Sequence, residues 1–279
     1  MNPNDSRLED MEFEVWKEME SFSVQQLRAE LNVTNILRQY TAAKYLQLKG
    51  ASRETFIYLT DLLRCENESY RKVAVFCLGQ LGTPDRPFSV ETVPLLVDLA
   101  KKNIDLSVRA EVISALGHLK DNSCFEYLAD AANDKDAGIR ACVAFALGNI
   151  HDKRGSVPLL KLTYDADDEV ASWAILGLRL LDVSSLDVRN RLFELVTTTD
   201  DEVSENIICA LARWQDLRIL SVLIDKLNQD EINAELFEAA GNLGDKKALP
   251  RLKQLLDDWG DDSPKLLKQA ILKLEAQIN

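Results

Sequence analysis

Apolar residues recur along most of the chain at spacings of three and four, the period of a helix that buries one face. Leu186, Leu192, Leu195 and Val196 show it in one segment. The amphipathic stretches are of two kinds, and they alternate. One kind reads S-V-R-A-E-V-I-S-A-L-G-H-L over residues 107–119 and G-I-R-A-C-V-A-F-A-L-G-N-I over 138–150. Small or apolar residues occupy the same offsets, Arg109 matches Arg140, and Gly117 matches Gly148 at a spacing of 31. The template also fits residues 70–81, with Arg71 and Gly79, and more weakly 170–181, 203–214 and 232–243. Taking the glycine as a marker gives positions 79, 117, 148, 179, 212 and 241, with Arg179 and Ala212 standing where glycine is lost.

The second kind of stretch precedes each copy, at residues 53–63, 92–100, 124–131, 157–163, 188–196, 218–227 and 249–256. Pro94, Pro158 and Pro250 sit near the starts of such helices, where a missing amide proton costs nothing. Linkers at 132–137 and 164–168 carry Asp and Asn that can cap the following helix. Residues 25–48 supply a less regular unit, broken near 32–35, and 265–274 end the array after an Asp-rich loop at 257–262. Two helices per unit of about 31 residues make a HEAT-like repeat, in which one pair cannot bury both apolar faces and neighbours must stack. The pattern predicts an all-α, right-handed α-α superhelix of about seven helix pairs. Residues 23–279 are expected to form one array, and the acidic residues 1–22 a separate segment or an extra helix.

Composition narrows the partners more than the fold. The formal charge is −13 over 279 residues, a field that repels phosphate backbones and anionic lipid. Direct nucleic-acid and membrane partners are therefore not expected, and a basic protein partner is favoured. No apolar run approaches the roughly 20 residues that span a bilayer. The first twenty residues lack a basic region leading into an apolar stretch, so no secretory signal is expected and the cytoplasm is the default. Cys65, Cys77, Cys124, Cys142 and Cys209 include no Cys-x-x-Cys pair, so thiols are expected and no zinc site. His118 and His151 are the only histidines. Phosphate-loop, nucleophile-elbow and dinucleotide motifs do not occur. No catalytic, cofactor or metal residue is predicted.

In stacked helix pairs the second helix usually lines the concave face. Positions equivalent to Ile139, Val143, Ala146, Leu147 and Ile150 form the buried stripe, and those equivalent to Ala141, Cys142, Phe145 and Asn149 point outward. Read across the repeats, the outward set gives Glu111, Ser114, His118, Phe145, Asn149, Trp173, Asn206, Arg213, Glu235, Glu238 and Asn242. Carboxylates and amides around two large rings suit a protein-binding groove. Phe145 and Trp173 are the candidate anchors, though either ring could instead fill core. Trp214 matches Ile150 and is expected in the core. Trp259 could be a partner anchor or a lid on the last pair. Arg71, Arg109 and Arg140 recur at one offset opposite loop acids, which predicts a structural ion-pair ladder.

More specific segments carry a resemblance. Thr41-Ala-Ala-Lys-Tyr-Leu-Gln-Leu-Lys-Gly50, Phe76-Cys-Leu-Gly-Gln-Leu81 and Val157-Pro-Leu-Leu160 are three of them. Arg218-Ile-Leu-Ser-Val-Leu-Ile-Asp-Lys-Leu227 and Glu238-Ala-Ala-Gly-Asn-Leu-Gly-Asp-Lys246 are two more. In that order they resemble the HEAT-repeat immunity proteins of the Rhs polymorphic toxin family, which share phycobilin-lyase-like repeats. The resemblance implies a cytoplasmic antidote without enzymatic activity that neutralises the C-terminal domain of a cognate Rhs toxin. That domain would be basic, could be a nuclease, and would be held in a 1:1 complex. The alternatives are a non-catalytic HEAT-repeat adaptor or assembly scaffold, and a lyase-like protein, which would need a tetrapyrrole cavity.

Overall fold

The computed structural model describes residues 3–102 and 104–276. Seventeen α-helices and no strand occur among them. The chain divides into two units, Met1–Asp152 and Lys153–Asn279. In the first, α1 (Pro3–Met19) leads four pairs: α2 (Val24–Glu30) with α3 (Ile36–Lys49), α4 (Arg53–Leu62) with α5 (Glu68–Gln80), α6 (Ser89–Lys101) with α7 (Leu106–Leu119), and α8 (Phe125–Ala131) with α9 (Ala137–Asn149). The second holds four more: α10 (Ser156–Leu162) with α11 (Asp168–Leu181), α12 (Leu186–Leu195) with α13 (Asp201–Arg213), α14 (Leu220–Leu227) with α15 (Glu235–Leu243), and α16 (Leu249–Trp259) with α17 (Lys265–Ala276). The expected all-α helix-hairpin repeat is thus present, with eight pairs where the period counts about seven, because α2 and α3 form a full pair broken at 31–35. No helix among the described residues is long and apolar enough to cross a membrane.

Local chemistry sets the boundaries of the second helices. Asn35, Asn67, Asp136, Asp167 and Asp200 cap α3, α5, α9, α11 and α13, each side chain accepting from a backbone amide of the first turn. Three residues past each glycine marker the backbone turns left-handed: Gly82, Lys120, His151, Asp182, Gln215 and Gly244 all have φ between 51° and 76°. The sequence marker and the helix stop therefore share one register. Only Gly82 and Gly244 adopt that conformation without a Cβ penalty.

Within each unit the second helices stack on one another, α3 on α5, α5 on α7 and α7 on α9, then α11 on α13, α13 on α15 and α15 on α17. The predicted stripe of Ile139, Val143, Ala146, Leu147 and Ile150 is buried. The markers let three of these helices, α5, α7 and α9, approach closely at two contacts. A Cβ built on Gly79 would lie 2.8 Å from the Ala115 Cβ, and one on Gly117 would lie 2.8 Å from the Ala146 Cα. Pro94 corrects its assignment, since α6 begins at Ser89 and the proline falls inside the helix. Its missing amide forgoes the bond to the carbonyl of Val90, a residue exposed enough to be hydrated. The 257–262 segment is likewise less of a loop than expected: Asp257, Asp258 and Trp259 complete α16, and a single 3-10 turn, Gly260–Asp262, follows.

The acidic N-terminal segment forms α1, and Met1 and Asn2 lie outside the described residues. Met19 is fully buried, Trp16 stacks on Tyr45 at 4.3 Å, and the Tyr45 hydroxyl donates to the Trp16 carbonyl at 2.9 Å. Arg38 holds Glu18 and Glu30 at 2.8 Å each and ties α1, α2 and α3 together.

Candidate protein-binding surface

Arg71 and Arg109 form the predicted ion pairs with loop acids, and Arg140 at the same offset binds loop carbonyls. Arg71 donates to the carbonyls of Cys65 and Glu66 and reaches Asp105, which begins α7, at 2.7 Å. Arg140 donates to the carbonyls of Asp134 and Lys135. Arg109 bonds the Asp134 carboxylate at 2.6 Å; against the effect of burial, the Asp136 amide and then that guanidinium hold the carboxylate below its usual range. These cations are occupied inside the fold, on the loops that join the two helices of a pair.

The proposed outward set divides between the units. In the first, Glu111, Ser114 and His118 on α7 and Phe145 and Asn149 on α9 are all half-buried. The His118 and Phe145 rings meet edge to face at 5.1 Å, and the Asn149 amide donates to the Phe145 carbonyl at 2.9 Å. Phe145 also lies over Gly117, its ring 2.9 Å from where a Cβ would stand, so part of this ring is packing. Burial holds the His118 imidazole below its ordinary range, helped by Arg86 and Lys120. Ala141, placed outward by the pattern, is buried, because a methyl at that offset fits under the neighbouring helix.

In the second unit Trp173 on α11 is half-buried, Arg213 on α13 is exposed, and Glu235 and Glu238 on α15 are exposed. Arg179, the residue that replaces a marker glycine, bonds both Asn206 and Glu235. Asn242 accepts from Lys273 at 2.6 Å. Three of the six candidates there are thus engaged in links between second helices. Trp214 is half-buried rather than core, its indole N–H donating to Asp182 at 2.7 Å. Trp259 packs edge to face on Phe237 at 5.7 Å and covers the last pairs.

The first unit brings together residues that helical counting missed. Tyr40 of α3 and Phe76 of α5 meet with ring centroids 5.0 Å apart and planes tilted by 55°. Glu111 lies within electrostatic reach of Tyr40: burial pushes the phenol up to about 12 and the glutamate charge adds to it. The Glu111 carboxyl is itself pushed above the ordinary range by burial, which Lys72 only partly offsets. Glu30 is paired with Arg38 and Asp134 with Arg109, while the half-buried Asp121 and Asp136 accept backbone amides. Glu111 has neither an ion pair nor a hydrogen bond among the described residues. The signal for Tyr40 was the aromatic residue one turn into the least regular repeat, where no glycine or arginine marks the register.

The five cysteines form no disulfide, and burial raises the Cys124 and Cys209 thiols to about 12. Such thiols are inert core groups.

The family described as HEAT repeats matches residues 58–148 and 93–179. Protein YibA of Escherichia coli strain K12 is 28% identical over 98% of this chain and 99% of its own length. The X-ray structure of E. coli YibA superposes with a TM-score of 0.74 at 26% identity, covering 95% of this chain and 96% of that one. The complex of CpcE and CpcF of phycocyanin lyase from Nostoc sp. is similar in fold alone, with a TM-score of 0.54 at 16% identity over 92% of this chain and 96% of that one. These relatives correct the resemblance drawn from the sequence. None of them is described as an Rhs, toxin–antitoxin or immunity protein. Leu-Gly-x-Leu recurs at 78–81 and 116–119 because the repeat needs a small residue at the helix contact, whatever the array binds.

Proposed function

We propose that this protein is a non-catalytic adaptor that holds a basic protein partner on the faces of its second helices. The observation that carries the reading is Glu111 of α7, a half-buried carboxylate that no cation pairs with among the described residues, within reach of Tyr40 of α3, which meets Phe76 of α5. Desolvating a charge is unfavourable unless something compensates it, and an external cation would do so. The net charge of −13 would steer such a partner to the face and disfavour nucleic acid and anionic lipid. Repeat arrays suit this task because stacking alone supports them, leaving one face free for contacts. Five thiols without a disulfide fit the reducing cytoplasm.

The test is affinity capture by the full-length tagged protein from extracts of its own cells, then titration calorimetry of each captured protein after separate purification. A basic partner binding at micromolar concentration or tighter, with affinity falling as salt rises, is expected. Failure of every purified candidate to bind would overturn the adaptor reading.

A further inference from the structure

Between α1 and α3 the first unit carries an open cavity of about 580 Å³, lined by Phe13, Trp16, Ile36 and Tyr40 together with Glu12 and Lys44. Phe13 and Ile36 are 62% and 63% exposed, well beyond what side chains filling a core show. Tyr40 belongs to this cavity and, through its other contacts, to the site next door: its ring meets Phe76, and its hydroxyl feels Glu111. One half of the surface is thus an aromatic and aliphatic cavity with Glu12 and Lys44 among its lining, and the other is an aromatic pair beside an unpaired carboxylate.

We propose that this surface of α1, α3, α5 and α7 takes a basic–apolar segment of a partner protein, with an aromatic or branched side chain in the α1–α3 cavity and an arginine or lysine over Tyr40 and Phe76 against Glu111. The proposal rests on the adaptor reading and names its site and the chemistry of the segment. A cation over an aromatic face gains from the ring quadrupole, and a carboxylate within reach adds a charge-assisted bond. Charge complementarity selects the occupant. The exposed residues from 11 to 20 include Glu12, Glu14 and Glu20 against Lys17, with Glu18 already paired to Arg38, so an acidic segment or an anionic membrane would be repelled. Lys44 and Lys72 are the cations already on this side, and neither forms an ion pair with Glu111. An arriving guanidinium therefore meets a vacant acceptor.

The probe is a library of short random peptides displayed on phage and selected on the full-length protein. Enriched peptides are then labelled with fluorescein and measured by anisotropy. They are expected to place an aromatic or branched apolar residue close to an arginine or lysine. Glu111→Gln should weaken them about tenfold, the loss expected for one charge-assisted bond. Phe13→Ala should weaken them measurably, while Ile57→Ala, an exposed position on α4, should leave them unchanged. Glu111→Gln should also raise the thermal midpoint of the free protein, a shift that loss of a structural contact would not produce. Enriched peptides without a basic residue, equal binding to Glu111→Gln, or no enrichment would each overturn the proposal. A captured partner that binds wild type and Glu111→Gln alike would leave the adaptor reading standing and place its contacts elsewhere.

Discussion

The two units run the same repeat with different chemistry at its marker. In the first, Gly79 and Gly117 bring α5, α7 and α9 into backbone contact, and Arg71, Arg109 and Arg140 fasten the loops beside them. In the second, Arg179 stands at the marker and spans to Asn206 on α13 and Glu235 on α15, while Gly241 keeps a looser approach of 3.2 Å to Ala270. A glycine holds neighbours by closeness and leaves little tolerance for volume. An arginine holds them by reach, through partly hydrated bonds that are individually weak. The register of a repeat is therefore fixed by where its helices stop, and the residue at the helix contact is free to change.

The largest effect should come from removing closeness. Gly117→Val places its side chain against the Ala146 backbone and the Phe145 ring, and should cost about 3 kcal/mol in urea unfolding. A cost below that of an ordinary surface change would show that α7 and α9 can separate freely. Arg109→Ala should follow at about 1–3 kcal/mol, because Asp134, 13% exposed, loses its partner. Arg179→Ala should cost less than about 1 kcal/mol, since Glu235 is half exposed and water can replace the bond. Equal losses for the two arginines would erase the contrast between the units.

Smaller shifts sharpen it. Gln215 adopts φ 56° after α13, so Gln215→Gly should stabilise by about 0.5–1 kcal/mol, measured as a higher urea midpoint at an unchanged slope. The smallest effect depends on pH. Burial raises the Glu111 carboxyl in the folded state, so stability from this group is full below the ordinary carboxylate range and is lost as pH rises through its folded value. Glu111→Gln imitates the protonated form, and its advantage in thermal midpoint should grow from acid toward neutral pH. His118 has the opposite sign: its folded imidazole is held low, so its contribution is present above the ordinary histidine range and is lost as pH falls through the folded value. His118→Asn should flatten that acid limb.

Much of the fold was legible because one short template fixed the helices, their caps and the arginine ladder together. The stop three residues after each marker was not legible, since four of the six positions carry Lys, His, Asp or Gln, none of which announces a left-handed turn as glycine does. Surface chemistry was legible only in part. Position along a helix selected Glu111 and the His118–Phe145 pair, yet it could not foresee that Arg179 would engage Asn206 and Glu235, a link that spans 56 residues of chain. It also missed Tyr40, Phe76 and the α1–α3 cavity, which depend on how α1 docks. Pro94 was misplaced because proline is compatible with either end of a helix's first two turns when the freed carbonyl is hydrated.

Stacking of each second helix on the next has a consequence for how damage travels. A lesion in α7 deprives α5 and α9 of a neighbour, but α15 and α17 draw their packing from each other. Amide hydrogen exchange on such a variant should therefore quicken in a band around the lesion and fade with sequence distance, so that partial opening, rather than one global transition, sets which amides are lost first.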